Sequence, residues 1–304
     1  MATRMRRVLL TLAAVAVALL PVQVSFFGLY LVHAAPGGQE DELPRKGCLG
    51  TRLAPLADDV RAREQLAPGA GVLIEAVLPD TTVAESSIRP GDILLAVDGK
   101  TISSVVDPNP IVAAMTVGQQ FEVTLQRAGQ RTSLAMTLKE CPRDRGETLE
   151  VLYHHVVSGG ARIRTIVTRP HTPGRHPVFF LIQGLGEWMV DQPLSEPDGY
   201  SRILNEFAKS GYVTVRVEKP GLGDSEGRPY ADIDFQTELD TYRQALIAVR
   251  KYSFVDRNAV FIFGHSMGGV FGPILASEIP IRGIAVYGTV AKTWTEYCLE
   301  NWRR

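Results

Sequence analysis

Asn258-Ala-Val-Phe-Ile-Phe263 runs straight into Gly264-His265-Ser266-Met267-Gly268-Gly269, and Val270-Phe-Gly-Pro-Ile-Leu-Ala-Ser277 follows. The apolar run has the length and β-branched content of a buried strand, and the last segment has the pattern of a helix. A Gly-x-Ser-x-Gly between a strand and a helix is the signature of a sharp turn that lifts a serine clear of the sheet. At such a turn Gly264 and Gly268 cannot carry a Cβ without striking the neighbouring backbone, and Gly269 continues the bend. Ser266 is therefore the candidate nucleophile. The helix behind it turns unpaired N–H groups and the positive end of its dipole toward any negative charge that develops there.

Working outward, the preceding segments alternate between strand and helix. Leu149 to Val157 and Arg162 to Thr168 read as a hairpin joined by Ser158-Gly159-Gly160. Pro177-Val-Phe-Phe-Leu-Ile-Gln183 is a continuous apolar run of the kind buried on both faces. Asp198 to Ser210 has helical spacing and Gly211 stops it. Tyr212 to Glu218 is a further strand, Phe235 to Tyr252 a long helix, and Ile281 to Tyr287 one strand more. This order predicts an α/β class with a mostly parallel central sheet. It resembles the α/β-hydrolase fold, on three landmarks. Gln183-Gly184-Leu185-Gly186 closes the third strand, where that family usually carries His-Gly. Pro220-Gly-Leu-Gly-Asp-Ser-Glu-Gly227 follows the fourth, and the serine turn follows the fifth. The resemblance implies a serine esterase acting on a small-molecule ester or acyl substrate through an acyl-enzyme. The backbone N–H groups of Met267 and Leu185 would form its oxyanion hole, with Gly184 and Gly186 keeping the loop close to the substrate.

The family orders its triad Ser, then Asp or Glu, then His. No histidine follows Ser266 in this sequence, and its strands for the acid and base are not present. The expectation is an incomplete sheet, the N-terminal part of such a domain. His265 is expected to pack under the turn, and Trp188 and Met189 to line an acyl pocket. Asp224 and Glu226 are expected to cap turns, and Asp256 marks the turn into the fifth strand. His154, His155, His171 and His176 fall in early hairpin and loop positions, where the fold does not place its base. Glu296 and Glu300 belong to a helix beginning near Thr293. Peptidase or acyltransferase chemistry would use the same nucleophile.

Upstream lies a shorter, strand-rich unit, residues 47–141. Gly71 to Val77 is a strand, Ile88 to Ile102 a turn, strand and Asp98-Gly99 hairpin, Ile111 to Met115 a short helix, and Phe121 to Gln126 with Ser133 to Leu138 a last hairpin. Arg89-Pro90-Gly91-Asp92-Ile93-Leu94, Val97-Asp98-Gly99 and Leu49-Gly50-Thr51 make it similar to the PDZ domains of bacterial exported proteases. That resemblance implies a peptide carboxylate received at Leu49, Gly50 and Thr51, and a peptide strand added along Thr51–Ala54. The alternative for this unit is a spacer docked on the second domain that binds no peptide; the alternative for the whole chain is a non-catalytic binding protein in which the PDZ-like unit binds and the hydrolase shell is degenerate. The ends of PDZ-like folds lie close together, so Cys48 and Cys141 are either a disulfide or two neighbouring thiols. Cys298 is left over.

Residues 1–35 carry Arg4, Arg6 and Arg7 ahead of the apolar run Val8 to Leu20, with apolar character resuming through Leu31. This is a signal peptide, or an uncleaved anchor using residues 8–32 for membrane association; either exports the rest. Residues 36–46 read as a linker, 142–148 as a connector and 149–304 as the hydrolase-like domain. A net charge of −1, with 21% charged residues, supplies no basic face for nucleic acid. No His/Cys cluster points to a metal, and no cofactor is expected.

Overall fold

The computed structural model describes residues 42–146, 148–194, 199–290 and 292–303. The signal or anchor segment, residues 1–35, lies outside the described residues. Among those described, no helix is long and apolar enough to cross a membrane.

The first sheet is antiparallel throughout. Its strands are β1 (Thr51–Pro55), β2 (Val72–Val77), β3 (Ile93–Val97), β4 (Lys100–Thr101), β5 (Gln120–Arg127) and β6 (Gln130–Thr137), ordered β1-β2-β3-β5-β6 with β4 beside β3. Alternation drives it: Phe121, Val123 and Leu125 of β5 point into a core with Ile74, Val97 and Met136, while Gln120 and Glu122 face water. Short helices α1 (Asp58–Arg63) and α2 (Pro108–Ala113) complete the unit. The segment of α1, with its Asp and Arg residues, reads as a loop in the sequence. It folds because acidic Asp58 and Asp59 occupy the first turn and basic Arg61 and Arg63 the last. Gly47 bridges to Glu140, closing the two ends of the domain together.

The second sheet runs β12-β11-β9-β10-β8-β7. Its strands are β7 (Leu149–Ser158), β8 (Ala161–Pro170), β9 (His176–Ile182), β10 (Val213–Val217), β11 (Val255–His265) and β12 (Gly283–Tyr287). The sheet is mixed rather than mostly parallel. The β12–β11, β11–β9 and β9–β10 pairs are parallel, and the β10–β8 and β8–β7 pairs antiparallel. The physical reason is connectivity. Ser158-Gly159-Gly160 folds β7 back on β8 as a hairpin, whereas parallel neighbours need a crossover segment between them.

Helices cover both faces of this sheet. Val178, Phe180 and Ile182 of β9 pack toward α4 (Phe235–Val249) and α5 (Gly268–Glu278). Phe179 and Leu181 of the same strand pack toward α3 (Gly199–Lys209), where Phe179 stacks on Phe207 at 3.8 Å. Each such fully buried side chain contributes roughly 1.5–3 kcal/mol. Burial on both faces explains the unbroken apolar run, and it carries β9 and β11 side by side to the site. The last helix, α6 (Trp294–Trp302), begins at a capping box in which Thr293 and Glu296 satisfy each other's backbone, and carries Glu296 and Glu300.

Residues 42–46 do more than link. Leu43 and Arg45 are buried, and the Leu43 carbonyl accepts from Arg164 Nη2 at 2.6 Å.

Candidate active site

Ser266 sits between the end of β11 and the start of α5 with φ +53°, left-handed backbone in a residue that carries a side chain. Such strain costs on the order of 1–3 kcal/mol and persists only where the surroundings impose it. Here they do. A Cβ on Gly264 would lie 2.3 Å from the Gly268 carbonyl oxygen, and one on Gly268 would lie 2.1 Å from the Ile182 carbonyl oxygen. Ser266 N–H donates to the Tyr287 carbonyl at 2.8 Å, and Gly269 N–H donates to the Ser266 carbonyl at 2.9 Å. The turn is locked from both sides.

The loop after β9 comes up against this turn. A Cβ on Gly184 would lie 3.0 Å from Ser266 Cβ and 3.5 Å from its Oγ. Gly184 N–H donates to Tyr200 Oη at 3.4 Å and Gly186 N–H to Tyr230 Oη at 3.3 Å. Their carbonyls both accept from Lys219 Nζ, at 2.6 and 3.0 Å. Among the described residues the N–H groups of Leu185 and Met267 have no hydrogen-bond partner.

A cavity of about 450 Å³ opens at the serine, walled by Leu185, Trp188, Tyr200, Ile203, Phe263 and Tyr287. Its surface is largely apolar, suited to an uncharged acyl or aryl group. Trp188 lines it as the sequence reading expects; Met189 is exposed and stays outside the wall. His265 is not packed under the turn. Its ring lines the cavity, Nδ1 pairs with Tyr200 Oη, and it stacks on Tyr287 at 5.4 Å. The correction follows from the strand: β11 extends through His265, so its side chain obeys the pleat and projects beside the serine. Among the described residues no side chain makes a hydrogen bond to Ser266 Oγ.

Asp224 and Glu226 do not cap turns. Asp224 is buried and accepts from Arg45 Nη1 at 2.8 Å, Lys46 N–H at 2.8 Å and Arg164 Nε at 3.1 Å. Glu226 accepts from the backbone and guanidinium of Arg162 at 2.6–3.0 Å. Asp256 lies within the start of β11 rather than in the turn before it, and accepts from Asn258 N–H at 2.9 Å. Arg45 also pairs with Asp191, donates to the carbonyls of Cys141 and Pro142 at 2.9 and 2.7 Å, and lies over the Tyr153 ring. Burial alone would lower the Arg45 pKa, but Asp191 and Asp224 outweigh it and hold the guanidinium charged. This cluster ties both ends of the first domain to the second. No local signal reveals it, because its members lie up to 179 residues apart.

Glu218 and Lys219 are also fully buried. Glu218 Oε1 accepts the N–H groups of Val190 and Asp191 at 2.6 and 2.8 Å, and burial pushes its carboxyl up to about 8. Two adjacent charges directly after the all-buried strand β10 were the available signal for this pair.

In the first domain Gly50 has φ +85°, and a Cβ there would lie 2.0 Å from Thr81 Oγ1. The carbonyls of Leu49 and Gly50 accept from Val83 and Leu78 N–H at 3.0 and 2.8 Å. β1 begins at Thr51 and, among the described residues, pairs on one side only, with β2. Cys48 and Cys141 are half-buried thiols that interact directly. Their mutual hydrogen bond lowers Cys48 and raises Cys141. Among the described residues no cluster of three or more His, Cys, Asp or Glu side chains could hold a metal ion.

Residues 47–138 match the family model of the PDZ domain, and this part of the chain is a PDZ domain. Among curated proteins the chain is similar to the magnetosome formation protease MamE of Magnetospirillum gryphiswaldense, 27% identical over 145 residues, 48% of this chain and 18% of that protein. It is also similar to a probable periplasmic serine endoprotease, DegP-like, of Brucella suis biovar 1, 26% identical over 103 residues, 34% of this chain and 20% of that protein. The chain thus spans about a fifth of the length of these relatives. Among solved structures, acetyl xylan esterase 1 from Thermoanaerobacterium matches with a TM-score of 0.40 at 20% identity, covering 53% of this chain and 54% of that one.

Proposed function

We propose that the chain is an exported serine hydrolase of the α/β-hydrolase type, acting on carboxylic esters with an apolar acyl or aryl group. The observation that carries this reading is the left-handed φ of +53° at Ser266, held against a loop that leaves Leu185 N–H unpaired at the mouth of an apolar cavity. Strain of this kind, at a residue with no packing need for it, supports a catalytic role. Ser266 Oγ attacks the acyl carbon, and the carbonyl oxygen becomes an oxyanion accepting from Leu185 and Met267 N–H. Collapse expels the alcohol, which leaves with the proton that the Ser266 hydroxyl gave up on attack. Water then attacks the acyl-enzyme and releases the acid. The described residues bring no acid–imidazole relay onto Ser266 Oγ, so the full rate calls for a general base from elsewhere.

The N-terminal arginines and apolar run support export, and the word periplasmic in the name of the Brucella relative agrees with it. At the PDZ domain we assign peptide binding to the edge of β1 away from β2, with the carboxylate at Leu49, Gly50 and Thr51. A second reading, peptide binding without catalysis, is favoured by the lack of a hydrogen-bond partner for Ser266 Oγ among the described residues.

Labelling with an alkyl fluorophosphonate separates the two. The catalytic reading requires one covalent adduct on Ser266 that Ser266→Ala abolishes. It also requires faster hydrolysis of short-chain aryl esters than of charged acyl analogues. A full chain that neither labels nor hydrolyses, yet binds C-terminal peptides, would leave only the second reading.

A further inference from the structure

One buried ammonium sets the direction of the loop that faces Ser266. Lys219 is 0% exposed, and its Nζ donates to the carbonyls of Gly184 at 2.6 Å and Gly186 at 3.0 Å and to Tyr230 Oη at 3.0 Å. These three acceptors use the three ammonium protons. Glu238 Oε1, 3.1 Å away and on the helix α4, balances the charge. Lys219 is therefore saturated and shut off from Ser266, and does not serve as its base.

The consequence lies in peptide geometry. The Gly184 carbonyl and the Leu185 N–H belong to one planar trans unit and point in opposite directions. With the oxygen held inward on Lys219, the Leu185 N–H is aimed away from the ammonium, and Gly184 itself lies against Ser266. Flipping that peptide would strip an acceptor from a buried cation with no water to replace it. A carbonyl that accepts from a cation also polarises its own N–H, which becomes a better donor to an anion. We propose that Lys219 is a positioning residue of the oxyanion hole, fixing and polarising the Leu185 N–H through the Gly184 carbonyl. This rests on the reading of Ser266 as the nucleophile.

The test uses the full chain and two variants. Lys219→Met alone strands the Glu238 carboxylate, so the informative variant is Lys219→Met with Glu238→Gln, and Lys219→Arg is the conservative rescue. Two things are measured in each: the fluorophosphonate reaction, split into its saturating rate and half-saturating concentration, and the orientation of the 184–185 peptide in a crystal structure. The folded double variant should lose about 10- to 100-fold in saturating rate, the scale of a misplaced oxyanion donor. Its half-saturating concentration should stay within about twofold, its peptide should rotate, and Lys219→Arg should recover part of the rate. An equally fast double variant with an unrotated peptide overturns the proposal while the nucleophile stands. A wild-type chain that does not label overturns the nucleophile, and the oxyanion role with it.

Discussion

Two loops of this chain aim backbone N–H groups outward by the same device and differ in what holds them from behind. At Leu49 and Gly50 the carbonyls accept from Val83 and Leu78 N–H, which are neutral amides of the same domain. At Gly184 and Gly186 the carbonyls accept from Lys219, a buried cation. In both, pinning the oxygen of a planar peptide turns the following N–H the other way. The difference matches the anions proposed for them. A peptide carboxylate arrives with its charge already formed and solvated, and neutral dipoles suffice to receive it. An oxyanion exists only in the transition state, so its site gains from charge placed in advance in a low-dielectric setting.

The largest effect expected on this comparison is Gly50→Ala. A left-handed backbone and a Cβ only 2.0 Å from Thr81 Oγ1 together should cost about 4 kcal/mol. C-terminal peptide binding should go with it, read by hydrogen exchange of residues 47–138 and a peptide titration. Gly91→Ala is the control: it has similar φ, +94°, but open space around it, and should cost far less. Equal costs would mean that Thr81 does not hold the loop.

The base of the Leu49 loop carries the Cys48–Cys141 pair, for which we predict a disulfide in exported material. Closing it should stabilise the PDZ domain by about 3 kcal/mol. Denaturant titration with and without reductant measures this, and unreduced peptide mass spectrometry decides whether the bond exists. Two free thiols after oxidation would leave both loops held by hydrogen bonds alone.

Gly184→Ala probes the other loop more gently. Of the nearest atoms to the added Cβ, His265 Nδ1 at 3.2 Å can give by a few tenths of an ångström, whereas Ser266 Cβ at 3.0 Å sits on the locked turn, so the loop itself shifts. Phosphonate labelling should slow about tenfold, equivalent to about 1.4 kcal/mol in barrier, with little change in thermal stability. A loss of folding instead would show this loop to be as rigid as the first.

The last effect is a slope with pH rather than a single loss, and concerns the buried carboxyl next to Lys219. Glu218 is raised by burial to about 8, so its contribution to stability is complete below its ordinary range near 4.5 and is lost as pH rises through 8. Glu218→Gln keeps an acceptor for Val190 and Asp191 N–H but cannot ionise. The variant should flatten the fall in stability between pH 5 and 8, which runs at up to about 1.4 kcal/mol per pH unit. Denaturant titrations at several pH values test it; parallel curves would show that Glu218 does not titrate there.

The sequence by itself determined what neighbours along the chain decide. Gly264, Ser266 and Gly268 lie within five residues, so their mutual sterics were legible before any fold was known. The same is true of the alternation in β5, the two-sided run of β9 and the Asp98-Gly99 turn. Only the tertiary structure decided the rest. The pleat of β11 put His265 on the cavity wall, and the antiparallel pairing of β10 with β8 set the hairpin beside the parallel strands. Asp224 reads as a turn residue until Arg45 and Arg164 are brought to it from elsewhere in the chain. Lys219 acquires its role only where Glu238 of α4 and the Gly184 carbonyl are brought to it. Steric fit between sequence neighbours is fixed by their spacing. A charge takes its meaning from burial and from partners distant in sequence, and only the fold supplies those.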